Sequence, residues 1–242
     1  MHIAFTSIKA GNLGLHVGND ACGVLKNRAA LEAELGIQVG SFAYLNQVHG
    51  VAVAEPTQAG IYAPEISEAS ARAELAAAPV ADAAVATDGR PLAIMVADCI
   101  PVVLVGEKGL QPVIAVAHAG RRGLLDGVIQ KTVAHMQDKG AENIRVWLGP
   151  SICGSCYEVP LEMQVESERL VPGISSITSW GTPALDLPAV AETLCHSLPG
   201  VIAVDCSLAT CTLENKAVFS HRRGDAGRIA GLVWTAKRVS TK

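Results

Sequence analysis

The sequence predicts a mixed α/β layered fold, and three observations carry that reading. Short apolar runs of strand character outnumber the stretches with helical spacing. The two kinds do not alternate in the regular way of a doubly wound sheet. Half of the 242 residues are apolar and 17% are charged, enough for a substantial core in one large domain or two small ones.

In chain order, His2 to Ser7 alternates as a short strand, and Lys9-Ala10-Gly11-Asn12 turns the chain. Asp20 is placed to cap a helix with Val24, Leu31 and Leu35 at helical spacing and Gly36 as its stop. Ser41 to Leu45 reads as a strand leading into Asn46-Gln47-Val48-His49-Gly50, and Val51 to Ala54 as another. Residues 55 to 82, punctuated by Pro56, Gly60, Pro64 and Pro79, read as a surface excursion whose Ala-rich run Ser67 to Ala78 forms a helix. Ala83 to Thr87 resumes as a strand.

The organising stretch is Leu92 to Gly123. Leu92 to Ala97 is a strand that delivers Asp98 and Cys99, after which Pro101 is expected to interrupt the ladder. Pro112 to Ala117 is a second strand that delivers His118 into the turn Ala119-Gly120-Arg121-Arg122-Gly123. One amphipathic helix follows, with Leu125, Val128, Ile129, Thr132, Val133 and Met136 on a face and Gly140 at its end. Ile144 to Leu148 is a buried strand running into Gly149-Pro150-Ser151. Asp186 and Pro188 open a helix through Leu198. Val201 to Val204, Ala217 to Ser220 and Arg228 to Thr235 read as the remaining strands, the last preceded by the basic turn His221-Arg222-Arg223-Gly224-Asp225.

The balance of charge narrows the partners. A net charge of −4 and a pI near 6.0 argue against nucleic acid, and the doublets Arg121-Arg122 and Arg222-Arg223 suit a small anion better than a polymer. Asp98 and Pro101 break the longest apolar run, so no membrane span is expected. The chain opens without a charged start and sustained apolar run, and its seven cysteines are an odd number. Reduced thiols in a cytoplasm are the expectation.

Three residues carry the chemistry most economically. His49, Cys99 and His118 each follow an apolar strand beside a glycine or proline, where side chains line pockets. Two imidazoles and a thiolate suit Zn²⁺ and leave a fourth position open for water or substrate. The same atoms also read as a nucleophile, Cys99, with His118 as base and Asp98 orienting the pair, or as satisfied polar residues at strand ends. Cys153-x-x-Cys156 with Cys206 and Cys211 has the makings of a structural Cys₄ zinc site, although Cys206-x₄-Cys211 is a loose second half. Arg122, Arg222, Arg223 and Arg228 stand at turns, where guanidinium groups either hold phosphate or carboxylate or form a solvated face. His16, His135 and His196 have no supporting neighbours in the sequence.

These motifs, in order, resemble a known family. Gln47-Val48-His49-Gly50, Ala97-Asp98-Cys99-x-Pro101-Val102 and His118-Ala119-Gly120-x-Arg122-Gly123 are joined by Gly149-Pro150-Ser151-Ile152, Cys156-Tyr157-Glu158-Val159 and Phe219-Ser220-x-Arg222-Arg223 with Gly227-Arg228. Asn12-Leu13-Gly14, His16-Val17-Gly18 and Asn27-Arg28 extend the match over nearly the whole chain. Together they look like the YfiH/LACC1 laccase-domain family, whose members have been called polyphenol oxidases and purine nucleoside phosphorylases. The resemblance implies one domain over residues 1–242, a YfiH-like layered sandwich of packed mixed β-sheets flanked by helices. It carries the metal ligands onto His49, Cys99 and His118, with Zn²⁺ as the cofactor and Cu²⁺ as the alternative. It implies phosphorolysis of adenosine, inosine and 5′-methylthioadenosine, with adenosine deamination as a second reaction. Asn12, Gln47, Arg122, Arg222, Arg223 and Arg228 are then the candidate substrate contacts, for purine nucleosides and phosphate. The chain is equally compatible with a monomer and a homodimer.

Three positions depart from the family's pattern. Ile8 stands where an arginine is usual, Arg121 where a tryptophan is usual, and His221 where a tyrosine is usual. Copper-dependent polyphenol oxidation, cysteine-dependent hydrolysis of a cell-wall precursor, and a non-catalytic interaction role remain as other readings of the same residues.

Overall fold

Strands that are apolar on both faces need cover on both sides, and the fold supplies it. The structure is a computed structural model that describes residues 1–56 and 66–235. Its strands are β1 (His2–Phe5), β2 (Val53–Ala54), β3 (Ala83–Ala86), β4 (Leu92–Val96), β5 (Ile100–Glu107), β6 (Val113–Ala119), β7 (Glu142–Leu148), β8 (Ser175–Ile177), β9 (Pro183–Leu185), β10 (Val201–Asp205) and β11 (Ile229–Trp234). Its helices are α1 (Ala21–Glu34), α2 (Glu68–Ala77), α3 (Arg121–Leu125), α4 (Val128–Asp138), α5 (Leu161–Leu170) and α6 (Leu187–Ser197). A 3₁₀ turn spans Ile8–Ala10. Among the described residues, no helix is long and apolar enough to cross a membrane.

The elements stack as helix, sheet, sheet, helix. A three-stranded antiparallel sheet, β1-β11-β4, faces a six-stranded mixed sheet, β10-β7-β5-β6-β3-β2. Leu92, Ile94 and Val233 of the small sheet meet Val103, Ile114 and Val116 of the large one. The alternate residues Ala93, Met95 and Leu232 pack outward with Leu31 of α1. The other face of the large sheet, with Val102, Leu104 and Ala115, packs on Ile129, Val133 and Met136 of α4 and on Ala191 and Cys195 of α6. A short β8-β9 hairpin stands apart from both sheets.

Helix boundaries follow local chemistry. Asp20, Ser67 and Asp186 each accept an amide hydrogen bond at the start of α1, α2 and α6. The single helix expected after Gly123 is two, because Gly127 takes a left-handed conformation (φ 89°) between α3 and α4. Pro101 does not end the ladder as expected: β5 runs through it. His118 gives its amide to Asp82 on the β3 side, so residues 101 and 118 form a non-hydrogen-bonded pair that needs no N–H from the proline. Ser41 to Leu45, buried from Phe42 on, makes only isolated bridges, Ala43 to Leu92 and Asn46 to Val80 nearby, so it is no strand. Ala217 to Ser220 is irregular for a similar reason, with Asn215 turning the chain at Ala217 and Val218. Residues 57–65 of the expected surface excursion lie outside the described residues.

Arg28 ties the α1 side together. It is 1% exposed, donates twice to the Leu13 carbonyl, pairs with buried Glu74 of α2, and lies 3.5 Å over the Tyr44 ring. Arg28→Ala strands a buried carboxylate, and breaking such a pair costs about 3–5 kcal/mol. The denaturant midpoint should fall accordingly. The double variant Arg28→Met/Glu74→Leu should recover most of that loss; if it does not, packing rather than the stranded charge is the cause.

Candidate metal centre and active-site cleft

Asp98 and Cys99 form the corner where the chain leaves the small sheet for the large one. Asp98 holds a positive φ of 83°, and His49, on the facing loop, one of 59°. Such backbone is unfavourable for residues with a side chain and persists only when its surroundings fix it. Asp98 is fixed by Thr212 Oγ1 (2.6 Å) and the Arg222 amide (2.7 Å), both of which it accepts. His49 is fixed by Asp82, which accepts its amide at 2.9 Å and that of Gly50 at 2.7 Å.

The corner brings three side chains together. Donor atoms of His49, Cys99 and His118 all lie within 4.8 Å of one another. Cys99 Sγ is 3.9 Å from His49 Nε2, and the two imidazoles meet edge to face at 4.6 Å between centroids. Asp82, fully buried, binds His118 Nδ1 at 2.8 Å and so turns Nε2 toward the thiol. That carboxylate–imidazole pair is the arrangement that fixes the tautomer of a metal-binding histidine. Gly120 completes the cradle, since a Cβ there would stand 2.9 Å from Cys99 Sγ and 3.0 Å from His49 Cδ2. One thiolate and two imidazoles, with the rest of the shell facing a cleft, fit a tetrahedral metal with one position open.

The orienting carboxylate is Asp82 and not Asp98, whose oxygens are engaged by Thr212 and Arg222 on the opposite side. The reading in which Asp98 orients a Cys99–His118 pair is therefore corrected. Burial works against charge on both partners, yet the neighbouring His118 charge and hydrogen bonds bring the Cys99 thiol down to about 6. Burial is likewise outweighed at His118, which Cys99 and Asp82 raise to about 9. Between those values the metal-free pair is thiolate and imidazolium. Iodoacetamide capture of Cys99 in metal-stripped protein should therefore be half-maximal near pH 6 and fall below it, where a free thiol falls below about 8.5. Mass spectrometry of the Cys99 peptide reads this directly, and a midpoint above pH 8 would refute the pairing.

The centre opens into a cleft of about 650 Å³. Arg122, Arg222 and Arg228 line it, as does Gln47. Gln47, however, pairs its amide in both directions with the Met95 backbone (2.7 and 2.9 Å). Arg222 gives Nη1 to the Glu158 carbonyl and lies 4.7 Å over the Tyr157 ring. Two candidates do not line the cleft. The Asn12 side chain is engaged by Gly14, Val17 and the Arg228 amide, and Arg223 by the Thr212 and Val218 carbonyls and Asp225. Ile8 is exposed on its 3₁₀ turn, also outside the lining. His16 and Tyr157 also line the cleft; both stand within motifs that carry the family resemblance, though no spacing marks either as a contact. Burial, then the charges of Arg228 and Arg28, hold His16 below its ordinary value, so it is neutral at pH 7.

The family described as multi-copper polyphenol oxidoreductase laccase matches residues 4–236. The chain belongs to that family. Among its relatives, purine nucleoside phosphorylase ORF3 of Streptomyces griseus is 40% identical over 96% of this chain and 94% of its own length. Neisseria meningitidis NMB0706 is 32% identical, with a TM-score of 0.73 over 96% of this chain and 90% of that one. YfiH of Bacillus licheniformis shares the layered fold at 24% identity, with a TM-score of 0.79 over 97% of this chain and 92% of that one.

The Cys₄ expectation changes membership. Cys153, Cys156 and Cys211 gather with Glu214, their donor atoms within 4.8 Å of one another. Cys206 lies elsewhere, beside Cys195 and Glu192.

Proposed function

We propose that this chain is a zinc-dependent purine nucleoside phosphorylase acting on adenosine, inosine and 5′-methylthioadenosine, with adenosine deamination as a second activity. The observation that carries the reading is a three-ligand centre at the floor of a cleft with arginines around it. Relatives bearing the phosphorylase name over nearly the whole chain support it.

In this reading His49, Cys99 and His118 hold the metal, which when bound supplies Lewis-acid polarisation and a lowered pKa for water. Phosphorolysis forms a bond from a phosphate oxygen to the ribose anomeric carbon and breaks that carbon's bond to the purine nitrogen. The purine takes the bonding electrons and a proton, and ribose 1-phosphate is the other product. Arg122, Arg222 and Arg228 hold the phosphate dianion by charge-assisted hydrogen bonds and so raise its effective concentration at the sugar. Tyr157, with the Arg222 guanidinium over its ring, lines the wall of the cleft beside the purine. Neutral His16 offers one donor and one acceptor to the base or ribose. Asn12 positions the Arg228 backbone and Arg223 positions the Thr212 loop, both from outside the cleft.

The test is incubation of zinc-loaded protein with adenosine or inosine, with and without phosphate, followed by chromatography. Free base and ribose 1-phosphate only in the presence of phosphate is the expected result, with inosine from adenosine reporting deamination. No turnover of any nucleoside would overturn the reading. The thiolate–imidazolium pair favours a second reading, cysteine-dependent hydrolysis, which would instead survive chelation. Dioxygen consumption with a phenol would mark the copper oxidase that the family's description names.

A further inference from the structure

We propose that Cys153, Cys156, Cys211 and Glu214 form a second, structural zinc site that staples the loop after β7 to the loop after β10. The site shares no residue with His49, Cys99 and His118. Its four donors come as two matched halves, Cys153-x₂-Cys156 and Cys211-x₂-Glu214, each with the two-residue spacer of a zinc knuckle.

The backbone holds each half ready. Cys156 and Tyr157 both donate their amides to the Cys153 carbonyl, at 3.0 and 2.9 Å, which turns the first two thiols to one side. The Cys211 carbonyl accepts from Asn215 at 2.9 Å and closes a helical turn that carries Glu214 back toward Cys211. Across the halves, Ser151 donates to the Thr210 carbonyl and Thr212 to the Ser151 carbonyl, each at 3.1 Å. Both loops are therefore pinned beside each other by main-chain bonds that need no metal.

Distances agree with the ion. Cys156 Sγ is 3.5 Å from Glu214 Oε1, and no pair of donor atoms exceeds 4.8 Å. Zinc–sulfur bonds of about 2.3 Å place tetrahedral ligands about 3.8 Å apart. The donors need to draw in by less than about 1 Å to meet that figure. Three sulfurs and one carboxylate select zinc over magnesium or calcium, which take oxygen shells. Four protein ligands leave no position for substrate, which makes the site structural. Binding releases the thiol protons to solvent.

The place of the staple explains what it does. Tyr157, next to Cys156, carries the Arg222 guanidinium on its ring. Thr212, next to Cys211, donates to Asp98 beside Cys99. One ion would thus fix both walls of the cleft from behind.

The experiment counts zinc and thiols in reduced, zinc-loaded and desalted protein. Two zinc ions per chain are expected in the wild type, one in Cys99→Ala and one in Cys153→Ser/Cys211→Ser. Cobalt-loaded Cys99→Ala should show intense visible bands of tetrahedral Co²⁺ and strong near-ultraviolet thiolate-to-cobalt absorption, both lost on adding Cys153→Ser. Should the double variant fail to fold, the wild-type stoichiometry and the Cys99→Ala cobalt spectrum decide by themselves. Cys99→Ala protein with all thiols free that binds neither zinc nor cobalt would overturn the proposal. So would a disulfide among Cys153, Cys156 and Cys211 that persists under conditions that reduce ordinary disulfides.

Discussion

Cys99→Ala is expected to lower kcat/KM for phosphate-dependent nucleoside cleavage about a thousandfold or more. The centre has three protein ligands, and removing the only anionic one leaves two imidazoles, a weak site for any divalent ion. A catalytic metal stabilises transition-state charge by several kcal/mol, and each 1.36 kcal/mol is a factor of ten. The fold should survive, because Cys99 is only half-buried and sits at a corner already held by Asp98, Thr212 and Arg222. Dialysis of the wild type against a chelator should reproduce the loss, with zinc restoring activity there and not in the variant. Undiminished turnover by Cys99→Ala would show that the metal centre is not where the chemistry occurs.

What the sequence made legible depends on how locally each feature is encoded. Helices with a cap residue and a glycine stop, such as α1 and α6, are written in a dozen consecutive letters, and both lie within a residue or two of expectation. Mixed sheets flanked by helices follow from the same signals. β5 was hidden by Pro101, because whether a proline breaks a ladder depends on which partner its missing N–H would face. α5 and the β8-β9 hairpin gave no reading at all: α5 buries little beyond Ser167, so its apolar periodicity is faint. At the centre, His49, Cys99 and His118 stood out as polar residues ending apolar runs. Asp82 did not, since its partners come from the loop at His49 and from His118, 36 residues away in sequence. Glu214 is not legible as a ligand, because Cys206 completes a four-cysteine pattern in the sequence, while the turn from Cys211 to Asn215 brings the carboxylate in instead.

Asp82 is where the fold and the chemistry meet, and its two substitutions should separate them. Its oxygens accept from His49, Gly50 and Val48 amides and from His118 Nδ1, and the residue is fully exempt from solvent. Asp82→Ala removes the acceptor for all four donors at once. An unsatisfied buried donor costs about 1–3 kcal/mol, so even with partial relaxation of the loop the loss should reach roughly 3 kcal/mol in chemical denaturation. Asp82→Asn keeps the shape and changes only the polarity. Whichever way the amide turns, its NH₂ faces groups that donate: the Val48 and Gly50 amides in the place of one oxygen, the His49 amide and His118 Nδ1 in the place of the other. His118 relieves its own share by giving up the proton on Nδ1 and carrying it on Nε2, the nitrogen turned toward Cys99. That tautomer cannot ligate through Nε2. Loss of such a supporting group lowers metal affinity about 10–100-fold. Competition with a chelating dye measures that affinity, and the alkylation midpoint of Cys99 in metal-stripped protein should move up from about 6 as the imidazolium loses its carboxylate. Asp82→Asn protein that binds zinc as tightly as the wild type, with the Cys99 midpoint unmoved, would reduce Asp82 to an anchor for the His49 turn. In that case the positive φ at His49, and not the tautomer of His118, would be what the carboxylate is there to hold.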